Sequence, residues 1–195
     1  IDVIPAQQQV GKHWYRGTAD CVYQNLDYVR QHHPQHVLVL AGDHIYKMNY
    51  ADMYNLLIEK QADAIVGAIE TPLADAHRFG VIAVDEDRRI LSFDEKPEKP
   101  MHIPGDPTQA FVSMGIYLFR TDVVREQLIR DAKEGTKHDF GKNIIPRMIN
   151  ECRVYAYKFQ DENKKAVNYW RDIGTLDAYW EANMDLVAVD PQFNL

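Results

Sequence analysis

Four short strings hold residue types suited to handling phosphate esters. Gly42-Asp43-His44 follows the apolar run His36–Ala41. A carboxylate there can hold a hard cation such as Mg²⁺ against phosphate oxygens, or it can cap the next helix. His44 beside it reads as a structural hydrogen-bonder rather than a metal ligand. Glu95-Lys96-Pro97 follows a run ending at Phe93. Lys96 there meets a phosphate as a point charge, with Pro97 stiffening the backbone, or it is a solvated surface lysine. In Trp170-Arg171-Asp172-Ile173-Gly174-Thr175, Asp172 is a second metal ligand, or else a helix cap or the ion-pair partner of Arg171. Trp14-Tyr15-Arg16-Gly17-Thr18-Ala19 runs into a helix start, a place that suits an aromatic base and an anion, or plain aromatic packing. The chain has no nucleophile elbow, Walker loop, H-E-x-x-H motif or Cys/His pair. Its chemistry therefore reads as positioning and electrostatics without a covalent intermediate.

Alternating elements must position these strings. The apolar runs His36–Ala41, Ala64–Ile69, Val112–Phe119 and Val154–Phe159 read as strands. Gly80–Val84 and Ile90–Phe93 read as a hairpin around a polar turn at 85–89. Helices are expected from Thr18, as cap, to about His33, and over Tyr50–Gln61, Thr121–Ala132 and Lys142–Asn150. Another is expected over Leu176–Val187, capped by Thr175, with Trp180, Met184 and Val187 as a buried stripe. Pro97–Pro107 holds four prolines and a glycine and reads as a loop. The alternation predicts one α/β domain with a mixed, mostly parallel sheet. Open sheets of this kind bind ligands at the carboxyl ends of their strands, where Asp43 and Lys96 fall.

Composition agrees with a globular domain. Of 195 residues, 46% are hydrophobic and 26% charged. The net charge of −7 argues against general nucleic-acid binding, which needs a basic face, yet a few local cations can still hold a small anion. No apolar run suggests a membrane span. Cys21 and Cys152 are far apart and read as two free thiols of a reducing cytoplasm. The chain begins at Ile1 rather than methionine, as if cut from something longer.

Seven strings, in this order and spacing, resemble the bacterial glucose-1-phosphate adenylyltransferase family. They are Pro5–Gln8, Trp14–Asp20, Leu40–Lys47, Phe93–Pro97, Ser113–Tyr117, His138–Lys142 and Tyr169–Thr175. Gly-Thr-Ala and Glu-Lys-Pro alone would indicate sugar nucleotidyltransferases broadly; the longer strings are more specific. The resemblance implies a Rossmann-like, GT-A-like nucleotidyltransferase fold and transfer of the adenylyl group of ATP to glucose 1-phosphate, for glycogen or starch synthesis. It implies that Asp43 and Asp172 are catalytic and hold Mg²⁺, and that Lys96 binds the sugar phosphate. Glu95, Ser113 and Tyr117 would lie near the glucose, and Tyr15, Gly17 and Thr18 on the nucleotide side. Gln7 would belong to a segment coupling an activator signal to the site. It further implies an allosteric, cytoplasmic enzyme, a homotetramer at full length.

The family's opening strand and Gly-Gly-x-Gly-x-Arg-Leu loop, which wraps the triphosphate, have no counterpart here, nor does its C-terminal β-helix. Residues 1–195 thus read as a partial catalytic domain, expected to be nearly inactive alone. Two other readings stay open: a nucleotidyltransferase for another base or sugar, and a regulatory subunit that binds without turnover.

Overall fold

The computed structural model describes residues 2–8, 12–162 and 168–193. Among the described residues, eight strands and seven α-helices follow one another along the chain. In chain order they are α1 (Thr18–Gln24), α2 (Leu26–Gln31), β1 (His36–Val39), β2 (His44–Tyr46), α3 (Tyr50–Glu59), β3 (Ala64–Pro72), α4 (Leu73–Ala76) and β4 (Gly80–Val84). They continue with β5 (Ile90–Glu95), β6 (Gln109–Arg120), α5 (Thr121–Asp131), α6 (Ile145–Glu151), β7 (Val154–Lys158), β8 (Trp170–Asp172) and α7 (Leu176–Val187). A π-helical turn, Phe140–Ile144, leads into α6. No described helix is long and apolar enough to cross a membrane.

The main sheet has the order β5-β4-β6-β3-β7, with β1 also paired to β6. It is a mixed α/β sheet, as expected, but its described pairings are not mostly parallel. Only β3–β7 is parallel; β1–β6, β3–β6, β4–β5 and β4–β6 are antiparallel. The reason is β6. Strands β1, β3, β4 and β7 share one direction, and β6 runs the other way between them.

Alternation along β3 sends Ala64, Val66 and Ala68 to one face and Ile65 and Ile69 to the other. The first face packs against α5 and α6 through Val124, Leu128, Ile145 and Met148. The second packs against Met53 and Leu57 of α3. Helices on both faces keep β3 dry, so all of Ala64–Ile69 is buried.

Three expectations change. The helix from Thr18 breaks at Asn25, whose side-chain amide donates to the Cys21 carbonyl (2.8 Å) and the Tyr15 hydroxyl (3.0 Å). Thr18 is not its cap; Gly17 holds that position, and the Thr18 hydroxyl bonds elsewhere. On α7, Thr175 does cap, accepting from Ala178 N at 3.2 Å. Its stripe is exposed, however: Trp180 is 62% and Val187 72% accessible, and the buried residue of this helix is Ala182. A 3.6-residue period marks an apolar face without saying what covers it.

Candidate active site

The site forms where one side of β6 is left unpaired. β1 pairs with β6 as far as Val39↔Tyr117. β4 takes up the same side at Val81↔Val112. Between them, no residue of β1 or β4 is in register with residues 113–116. The opposite side stays paired to β3, with a bulge: Val66 faces Tyr117 and Ala68 faces Ser113, so Gly67 stands against three residues of β6. Gly115 lies in that bulge at φ +69°, a left-handed conformation that favours glycine. Bulges of this kind re-aim side chains beside active sites.

A cavity of about 680 Å³ fills the break. Its walls come from the segment after β1, the start of β4, the end of β5, the bulge of β6, the turn at 139–141, and β8. That volume suits a small ligand with a few polar anchors.

Asp43 and Asp172 meet here through a two-stranded ribbon that the sequence did not disclose. β2 and β8 pair antiparallel with His44 opposite Asp172, and Ile173 N donates to the Asp43 carbonyl at 2.9 Å. A side-chain carbon on Gly174 would sit 3.0 Å from Asp172 Oδ1 and 3.8 Å from Asp43 Oδ2. Both carboxylates thus border one point that glycine leaves open. Neither caps a helix: Asn49 caps α3 and Thr175 caps α7. Arg171 does not pair with Asp172. It reaches Glu181 (2.8 Å) and Asp185 (2.8 Å) on α7. Asp172 Oδ1 accepts from Gly174 N at 2.8 Å.

His44 departs from its expected role. Its Nδ1 is buried with no hydrogen-bond partner among the described residues. Nε2 lies 3.8 Å from Asp43 Oδ1, and the ring packs edge-on against Trp170 at 5.2 Å.

Lys96 lines the cavity at φ +52°, its N–H donating to the Phe79 carbonyl at 2.9 Å. A non-glycine residue in that region is strained, and such strain clusters at ligand sites. Glu95 lines the same wall, opposite Gly80 in the hairpin. Ser113 and Tyr117 face the cavity from β6. Burial pushes the Tyr117 phenol up to about 12, aided by the Asp139 and Glu95 charges, while a hydrogen bond with Ser113 opposes the shift. Tyr117 therefore stays a neutral donor at physiological pH.

Thr18 also lines the cavity, but Tyr15, Gly17 and Gln7 do not. Tyr15 is tied to Asn25, as above. Gly17 lies against the 137–138 backbone, where a Cβ would come within 2.4 Å of both carbonyl oxygens. Gln7 is exposed in the leading segment.

The cavity adds residues that sequence reasoning missed. Arg78 is a second cation, its guanidinium 5.9 Å from the centre of the Phe79 ring. Asp139, Phe140 and Gly141 form another wall, and Trp170 a third. Asp139 stood inside the string His138–Lys142, but a lone Asp before an aromatic carries no signal of a ligand site. Arg78 lies in a polar stretch with no pattern at all. Four carboxylates (Asp43, Glu95, Asp139, Asp172) thus face two cations (Arg78, Lys96). No group of three or more His, Cys, Asp or Glu placed to hold a metal occurs among the described residues.

The comparisons with known proteins point the same way. A family profile described as Nucleotidyl transferase matches residues 1–188. The chain is 51% identical over 196 residues to the glucose-1-phosphate adenylyltransferase of Methylococcus capsulatus, covering 100% of this chain and 46% of that protein. It is 52% identical over 196 residues to that of Rhodopirellula baltica, covering 100% and 44%. It is 51% identical over 195 residues to glucose-1-phosphate adenylyltransferase 2 of Alkalilimnicola ehrlichii, covering 100% and 46%. The chain spans less than half the length of these relatives. With its α/β fold, its carboxylate-lined cavity and a profile match over nearly its whole length, the chain belongs to the nucleotidyl transferase family.

Proposed function

We propose that residues 1–195 are catalytic-domain sequence of a glucose-1-phosphate adenylyltransferase, which joins ATP and glucose 1-phosphate into ADP-glucose and pyrophosphate. The observation that carries this reading is the convergence of Asp43 and Asp172 on one point of a cavity that also holds Lys96 and Arg78. The similarity to proteins of that name supports it.

The donor set fits Mg²⁺. Two hard carboxylate oxygens close together, with no third His, Cys, Asp or Glu grouped with them among the described residues, would suit a cation that also binds phosphate oxygens and water. Asp43 and Asp172 would hold it, and when bound it would screen the negative charge on the reacting phosphates. It would also offset the excess of carboxylates over cations in the cavity.

The residues divide the remaining work. Lys96 binds the phosphate of glucose 1-phosphate as a point charge. One oxygen of that phosphate forms a bond to the α-phosphorus of ATP while the bond to the bridging oxygen on the far side breaks, and pyrophosphate leaves with the electron pair. No protein nucleophile is required, so rate comes from alignment and charge screening. Tyr117, Ser113 and Glu95 supply donors and acceptors to the sugar. Thr18 faces the nucleotide from the start of α1, with Tyr15 and Gly17 behind it. Gln7 lies in the segment that couples an activator signal to the site. The same likeness supports a cytoplasmic, allosteric homotetramer serving glycogen or starch synthesis.

The test supplies the intact protein with MgCl₂, glucose 1-phosphate and, in turn, ATP, UTP or dTTP, and measures pyrophosphate release. ATP is expected to give kcat/KM at least ~10-fold above the others. Equal rates with UTP or dTTP, or no turnover with any of them, would contradict the reading.

A further inference from the structure

We propose that the buried Asp131–His138 pair is a positioning device of this cavity. It sets the turn at 136–139, which carries Asp139 into the cavity wall and clamps the start of α1. The idea rests on the nucleotidyl-transfer reading for its kinetic consequence but not for its geometry.

Asp131 ends α5, where the helix dipole disfavours a carboxylate, and it is buried as well. A carboxylate persists in such a place when partners satisfy it. Here His138 Nδ1 lies 2.7 Å from Asp131 Oδ2, with side-chain exposures of 4% and 3%. The carboxyl and the ring nitrogen share that short hydrogen bond. The Thr136 hydroxyl donates to Asp131 Oδ1 at 2.8 Å and accepts from His138 N at 3.0 Å. The Arg147 guanidinium lies 4.0 Å from Asp131 Oδ1 and pairs with Glu134.

This network holds His138 at φ +52°, a conformation that persists only where its surroundings over-determine it. The backbone it fixes does two things. The His138 carbonyl accepts from Ala19 N (2.9 Å) and Asp20 N (3.3 Å), and Gly17 packs flush against it. The next residue, Asp139, enters the cavity wall. Its Oδ2 accepts from the Thr18 hydroxyl at 3.2 Å, its Oδ1 accepts from Lys142 N at 2.9 Å, and Phe140 N donates to Thr18 Oγ1 at 3.1 Å. Thr18, Asp139, Phe140 and Gly141 line the cavity, whereas His138 and Asp131 do not. The pair acts through its neighbours, so these are positioning residues rather than catalytic ones.

The test compares Asp131→Ala with His138→Asn in the intact protein. Asparagine keeps a donor near the place of Nδ1 and tolerates positive φ. Asp131→Ala is expected to raise KM for ATP or for glucose 1-phosphate at least ~10-fold, a change that a smaller folded fraction cannot produce because it scales kcat alone. Amide exchange at Ala19 and Asp20 should accelerate at least ~10-fold relative to amides of β3. His138→Asn should stay within about 3-fold of wild type in both measurements. If Asp131→Ala fails to fold, Thr136→Val, which removes the bridging hydroxyl, should shift the same readouts at least ~3-fold. The proposal is overturned if the folded variants leave both KM values and the exchange at 19–20 unchanged, or if His138→Asn is as damaging as Asp131→Ala. A wild-type protein that makes no ADP-glucose would sink the transfer reading instead, and the exchange contrast would still decide the pair.

Discussion

The two sides of β6 show how one strand serves both stability and chemistry. Towards β3 it is paired along nearly its whole length, from Ala64↔Phe119 to Pro72↔Gln109, and interrupted by one bulge. Towards β1 and β4 the partner is split, and Ser113, Met114 and Gly115 line a cavity there instead of meeting a strand. The paired side buries Ile65, Val66 and Phe119 almost completely. The open side gathers charged groups and two strained or left-handed residues, Lys96 and Gly115. A sheet pays for a binding site by leaving part of a strand unpaired, and the continuous side holds that strand in place meanwhile. Substitutions on the open side should therefore change kinetics and spare folding, and those on the paired side should do the reverse.

The largest effect is expected at Asp43. Asp43→Asn keeps the shape and removes the charge, so kcat of the intact protein should fall at least ~10³-fold, about 4 kcal/mol, with smaller changes in KM. A folded variant, checked by circular dichroism, with near-normal kcat would remove the metal-ligand role. Next comes Lys96→Ala. Losing one charge-assisted phosphate contact should raise KM for glucose 1-phosphate on the order of 10²-fold and leave KM for ATP nearly unchanged. Equal weakening of both substrates would place Lys96 in the fold or at the triphosphate.

On the paired side, Ile65→Val deletes one methylene from a fully buried position. It should cost about 1 kcal/mol in denaturant unfolding and leave kcat and KM alone. A KM change there would break the division between the sides. The smallest effect concerns Tyr117, which stands where the break begins. Burial favours its neutral phenol, so its folded-state pKa of about 12 exceeds the unfolded value of about 10. Its contribution is complete below pH ~10 and is lost as pH rises towards 12. Tyr117→Phe should flatten that alkaline limb of a stability–pH curve by its share. An unchanged limb would show that Tyr117 is not shielded as described.

Much of this was legible in the sequence. Continuous apolar runs gave β1, β3, β6 and β7, and Thr175 caps α7 as expected. Of the residues assigned to the site, Asp43, Asp172, Lys96, Glu95, Ser113, Tyr117 and Thr18 come together. What was missed has physical reasons. β2 and β8 are three residues each, too short for any period to show, yet they bring the two aspartates to one point. The bulge depends on a register shift between strands far apart in sequence. Asp139 owes its place to a turn held by Asp131 and Thr136, contacts that no local pattern records. The exposed stripe of α7 reads like a buried one because periodicity is blind to partners.

The central claim is that Asp43 and Asp172 act on one cation at one point of the break in the sheet. A double-mutant cycle of Asp43→Asn and Asp172→Asn, read as kcat of the intact protein at saturating MgATP and glucose 1-phosphate, tests it most directly. Residues that act as a unit lose their function together. The double variant should therefore be no worse than the poorer single variant, within about 3-fold. Losses that multiply in the double variant would show that the two carboxylates work independently and would contradict the account.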